Sequence, residues 1–158
     1  TVADGAITTA KLGDASVTSA KLASGVGGKV LQVVSATDST ARSTTSTSFV
    51  TASNTLSVSI TPSSASSKIF IALSSSIQGS GTNSFYYTIY RDSTNIGATD
   101  GMQRLYSALY TPMALSVLDA PSTTSATTYQ VYMKTNGGTA YLNSGGLLGT
   151  ITAMEIGA

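Results

Sequence analysis

The chain has 158 residues and a mass of 16.0 kDa, enough for one domain with a hydrophobic core and a short appendage. Apolar residues make up 41% and charged residues only 9%, and eight Lys and Arg against seven Asp and Glu leave a formal net charge of +1. The basic residues are scattered singly, so no cationic stripe is available for a nucleic-acid backbone, and the absence of Cys and His excludes disulfides, thiolate metal sites and catalysis built on an imidazole base.

The first element in chain order is a repeat. Residues 4 to 13 read Asp-Gly-Ala-Ile-Thr-Thr-Ala-Lys-Leu-Gly and residues 14 to 23 read Asp-Ala-Ser-Val-Thr-Ser-Ala-Lys-Leu-Ala, a period of ten. Val2, Ile7, Leu12, Val17 and Leu22 fall five apart, which fits neither a helix, a coiled coil nor a strand. A short extended piece followed by one turn capped by Thr8 or Thr18 fits better. Such a unit has too few apolar side chains to cover them itself, so identical chains around one axis are expected to do so. This predicts a trimeric or similar stalk over residues 1–27 in which those five residues make the trimer contacts; the alternative is a flexible Ala/Ser/Thr linker. The Gly-rich stretch from Ser24 to Lys29 predicts a hinge into a head domain over residues 28–158. The chain begins at Thr1 in mid-pattern, as expected for part of a longer protein.

Ser and Thr together form roughly a third of the chain, and in the head they alternate with Val, Ile, Leu and Phe as in half-buried strands. Strands are predicted at 30–36, 48–52, 56–61, 68–76, 85–91, 115–118, 129–134 and 150–156, separated by Gly, Asn, Ser and Pro. No helical period and no apolar run long enough for a membrane span is present. The expected fold is all-β: an antiparallel, jelly-roll-like sandwich. Leu56, Val58 and Ile60, then Ile69, Ile71 and Leu73, then Tyr129, Val131 and Met133 are expected to face the core. Phe70, Tyr86 and Tyr90 are left as surplus apolar area on the second faces, which predicts a subunit interface. The last strand is expected to pair inside a sheet although chain ends usually fray.

Few residues offer chemistry. Asp92 and Asp100 are the closest approach to a glycosidase-style carboxylate pair, but both sit in turn sequences where Asp caps its own backbone. Asp38, or Asp92 with Asn95, could hold a hard cation, yet no calcium-loop spacing surrounds them. Glu155, alone among apolar residues, needs a partner if buried, and Arg91 or Arg104 would serve unless it lies on a solvated edge. No cofactor is expected, and the chain is expected not to be an enzyme.

The segment Asp4-Gly5-Ala6-Ile7-Thr8-Thr9-Ala10-Lys11-Leu12 and its echo at 14–22 resemble the tandem repeats of tail-fibre and other virion-fibre proteins of tailed bacteriophages. More loosely, Pro62-Ser63-Ser64 before Ser67-Lys68-Ile69-Phe70-Ile71, Tyr90-Arg91-Asp92, and Ile151-Thr152-Ala153-Met154-Glu155-Ile156 resemble the β-rich C-terminal heads of such fibres. The resemblance implies a structural protein at the surface of the phage particle: a trimeric stalk carrying a head, joined to other virion proteins through the region upstream of Thr1. A capsid decoration fibre and a polysaccharide-degrading tip are the alternatives. A passive head and one that attaches to a host-surface glycan both fit. For attachment, the loops 79–83, 92–101 and 136–146 are expected to form the contact, with Tyr141 as an aromatic plate and Asn136 and Asn143 as hydrogen-bonding groups. The other reading of Tyr141 is a residue that packs its own hairpin.

Overall fold

A computed structural model describes Thr8, Gly13 and residues 29–157. The expected stalk contacts Val2, Ile7, Leu12, Val17 and Leu22 lie outside the described residues. The head holds β1 (Val30–Asp38), β2 (Arg42–Thr44), β3 (Val50–Thr51), β4 (Ser57–Ile60), β5 (Lys68–Gly79), β6 (Phe85–Arg91), β7 (Thr94–Asn95), β8 (Gln103–Leu105), β9 (Thr111–Asp119), β10 (Thr127–Thr135), β11 (Ala140–Leu142) and β12 (Gly149–Ile156). Among the described residues no helix is long and apolar enough to cross a membrane.

All pairings are antiparallel and fall into two sheets. In sheet one, β5 is flanked on one edge by β9 and on the other by β12 and β11 end to end; β1 lies beyond β12 and β2 beyond β11. In sheet two, β10 and β6 are central, with β3 and β4 along the outer edge of β10 and β7 and β8 along that of β6. If β3 with β4, and β7 with β8, are each taken as one interrupted strand, the main path has eight strands. Their order is then first, eighth, third, sixth in one sheet and second, seventh, fourth, fifth in the other. That is the strand order of a jelly roll, two Greek keys closed face to face.

The core lies between the sheets. The inward residues Ile69, Ile71, Leu73 and Ile77 of β5, Met113 and Leu115 of β9 and Ile151 of β12 meet Val58 and Ile60 of β4, Phe85, Tyr87 and Ile89 of β6, and Tyr129, Val131 and Met133 of β10. The three predicted alternations therefore hold. β12 is an interior strand, bonded to β1 and β5 along its length. Gly79 is required where β5 ends, because a Cβ there would overlap the Phe85 ring.

Four elements go beyond the predicted strands: β2, β7, β8 and β11 have two or three residues each, too short for any period to register. The predicted strand at 48–52 shrinks to Val50–Thr51, because Ser53 Oγ accepts the N–H groups of Thr55 and Leu56 and turns the chain before β4. β9 is longer than expected and starts at Thr111.

Candidate functional site

The register sets the two ends of the sandwich. Val30, Lys68 and Ile156 share the proximal end, where β1 begins. Gly79 and Ala140 lie at the distal end. The loops at 79–84 and 135–139 meet at the distal end, where Ser84 N–H donates to Asn136 Oδ1 at 2.8 Å and Ser80 N–H to Thr139 O at 2.9 Å. The Asp92 turn is proximal, since Asp92 pairs with Thr128, so the 92–101 loop begins at the opposite end of the sandwich from the other two.

The expected trio is corrected on the same grounds. Tyr141 is not at a hairpin tip: it is the middle residue of β11, half-buried, paired to Gln78 and Ser43. Asn143 is fully buried; its Oδ1 accepts Ser75 Oγ at 2.8 Å and its Nδ2 donates to Thr40 O at 3.3 Å. Its φ of 51° explains the Asn, since the left-handed region favours Gly or Asn where the chain leaves β11. Asn136 alone of the three is exposed.

The acids are largely absorbed into structure. Glu155 is fully buried and has neither Arg91 nor Arg104 as partner. Instead Ser63 N–H and Oγ donate to its Oε1 at 2.8 and 2.6 Å, and Gln32 Nε2 to its Oε2 at 2.6 Å. Burial pulls its pKa up, but the Ser63 and Gln32 donors outweigh that and hold it at about 2. Arg91 pairs with Asp119 at 2.9 Å, and Tyr129 donates to the same carboxylate at 2.7 Å, which ties β6 and β10 to β9 across the sandwich. Burial first, then Asp119, push the Tyr129 phenol pKa upward. Asp38 accepts Ser53 Oγ, Thr40 N–H and Arg42, while Asp92 Oδ1 accepts Thr128 N–H and Asn95 Oδ1 accepts Thr88 Oγ1 and Gly97 N–H. Each of these cation candidates thus has protein donors on its carboxylate or amide oxygen.

The unspent chemistry is on the two outer faces. On sheet one, Val33, Met154, Phe70 and Leu118 stand in one row across four strands. Val33 is 55% and Leu118 52% exposed. The next rows, Ser35-Thr152-Ala72-Ser116 and Thr37-Thr150-Ser74-Ala114, hold only small side chains. Beyond them rise Tyr110, Leu147 and Leu148, all exposed, around an apolar groove of about 360 Å³. Lys68, at the proximal corner, is the one charged residue among the outward side chains of β1, β5, β9 and β12.

Sheet two differs. Arg104, Tyr86 and Lys134 form one row across its outer face. Tyr90 and Tyr132 stack with centroids 3.9 Å apart, and Phe49 tilts against Tyr90 at 6.1 Å. Lys134 Nζ lies 4.7 Å from the Phe49 centroid, 5.0 Å from that of Tyr86 and 3.0 Å from Asp100 Oδ1. The loop between β7 and β8 folds over this face: Gly101 N–H donates to Ala98 O at 2.8 Å and Met102 N–H to Tyr87 O at 2.9 Å. Between loop and sheet lies a groove of about 320 Å³ lined by Tyr86, Asp100, Gly101, Met102, Gln103 and Arg104. Phe70 and the pair Tyr86 and Tyr90, expected on one subunit interface, therefore occupy opposite faces. Alternation distinguishes in from out but not one sheet from the other.

No known protein family matches the chain, and no curated protein sequence does. Among solved structures it is similar to a chain of the T13 viral particle of infectious bursal disease virus, with 17% identity and a TM-score of 0.46 over 80% of this chain and 36% of that one. It is also similar to the VP2 subviral particle of the same virus, with 18% identity and a TM-score of 0.44 over 80% of this chain and 37% of that one. The chain spans little more than a third of the length of these solved chains.

Proposed function

We propose that the chain is a structural, non-catalytic component of a phage virion, a homotrimeric fibre or spike whose head contributes to attachment at the host surface. The observation that carries this reading is the uncharged outer face of sheet one. Burying it costs no desolvation of charge apart from the corner Lys68, and its flat floor of Ser, Thr and Ala between apolar ridges allows close approach of another surface. The cores of subunit interfaces are likewise depleted in charge. β1 begins at Val30, at the end of the sheet nearest the apolar row of Val33, Met154, Phe70 and Leu118. Three stalks wound on one axis would bring three copies of this face together. The stoichiometry of three comes from the resemblance of the repeat to virion fibres.

Sedimentation equilibrium of the full chain tests the reading. The expected mass is three times 16.0 kDa; a stable monomer at micromolar concentration overturns it.

A further inference from the structure

We propose that the groove between Tyr86 and the β7–β8 loop binds an acidic sugar residue, with Arg104 holding its carboxylate. The proposal rests on the attachment reading above and supplies it with a site and a ligand class.

Arg104 lies directly across from Tyr86 in the β6–β8 pairing. It is exposed, and its guanidinium makes no salt bridge or side-chain hydrogen bond among the described residues. An uncommitted planar fork of donors beside an aromatic ring suits a carboxylate, which it can bind through two parallel hydrogen bonds. Tyr86 offers an apolar ring against which the C–H face of a pyranose can lie, with a polar tip at its edge. Asp100 supplies the acceptor that sugar hydroxyls require, since Lys134 engages only its Oδ1. The Asp100–Lys134 pair is neutral, so Arg104 leaves this row with one net positive charge, the sign an acidic ligand needs.

The site is also built in advance. Gly101 has φ +85° and comes so close to the sheet that a Cβ would lie 2.7 Å from Tyr87 O, so the loop bearing Asp100 depends on glycine to seat there. Lys134 lies against two rings and pairs with Asp100, whose side chain stays exposed to a ligand. Such pre-organisation lowers the ordering cost of a shallow site. A nucleic acid would need a run of cations that this face lacks. The distal groove at Tyr110, Leu147 and Leu148 is apolar and continues the outer face of sheet one, so it belongs with subunit packing. Each saccharide site is expected to be weak, and three copies on one fibre would raise the avidity.

The test has two arms on the full chain. Immobilised glycans ending in uronic or sialic acid are compared with matched neutral glycans, and the best acidic glycan is titrated as a soluble trisaccharide against the wild type and Arg104→Gln. The acid-terminated glycans should be retained at least about tenfold better than the neutral ones. Arg104→Gln should lose about tenfold in affinity, the worth of one charge-assisted pair, with unchanged mass and melting temperature. Equal retention of neutral glycans, no retention of either class, or a titration unaffected by Arg104→Gln overturns the proposal. Because the groove lies within one chain, the soluble titration reads it whatever the assembly state, so a monomer that binds overturns the trimer alone and a trimer that does not bind overturns the groove alone.

Discussion

The outer faces of the two sheets come from the same alternating pattern and the same Ser- and Thr-rich composition, yet they are different kinds of surface. Sheet one presents rows of Ser, Thr and Ala between apolar ridges, with Lys68 alone at a corner. Sheet two presents stacked tyrosines with Arg104, Lys134 and Asp100 set among them. A face with small, uncharged side chains suits a large partner that approaches flat. A face with aromatic rings and a few directed charges beside a groove suits a small ligand with polar groups to orient. The difference is what the proposed division rests on, with subunit contact on sheet one and ligand binding on sheet two.

The sharpest way to break this contrast is a charge in the floor of sheet one. Ala72→Arg should weaken the trimer, so that it dissociates at higher protein concentration than the wild type, while circular dichroism stays the same; a trimer as tight as the wild type's would remove sheet one from the interface. Next in size is the seam beneath the faces. Glu155→Ala leaves the Ser63 and Gln32 donors without their acceptor and should cost about 1–3 kcal/mol in chemical denaturation. In the wild type the folded carboxyl protonates at about 2 instead of the ordinary 4.5. The unfolded chain therefore binds more protons in that window, so the contribution of Glu155 is full above 4.5 and is lost as pH falls towards 2. The melting temperature of Glu155→Gln should accordingly fall less steeply over this range than that of the wild type. Tyr132→Ala, which removes one half of the stack on sheet two, should cost about 1–2 kcal/mol, including 0.5–1.5 for the ring pair itself, with no change in mass. Smallest of all is Ser59→Arg, a charge on the outer face of sheet two. It should shift stability by no more than about 0.5 kcal/mol and leave the trimer intact, in contrast to the charge at Ala72.

Much of this architecture is readable in the sequence where local pattern and burial coincide. Leu56, Val58 and Ile60 alternate with Ser57, Ser59 and Thr61, and the fold buries the first set. What stays hidden is long-range. Ser63 and Glu155 are 92 residues apart, and in a chain so rich in hydroxyls no local feature marks which one serves the buried carboxylate. Arginine was expected because cations are the conspicuous partners of an acid, but here an amide, a hydroxyl and a backbone N–H suffice. Gly-rich flanks suggest a hairpin tip around Tyr141, whereas those residues form a short strand that continues the edge of β5 beyond β12. Arg104 and Asp100 gain their setting only when the loop between β7 and β8 folds back, which no periodicity announces.

The interior position of β12 bears on how the chain is made. β12, the last strand in chain order, fills the slot between β1 and β5, and Val30 meets Ile156 across nearly the whole length of the described fold. Until β12 has been synthesised, β1 and β5 lack the strand that joins them, so this sheet closes late. Pairings of such long sequence separation also fold slowly. The repeat segment precedes β1 in the chain and is synthesised before it. In the trimer proposed above, the repeats would meet before the sandwich is complete, and insertion of β12 would lock each copy.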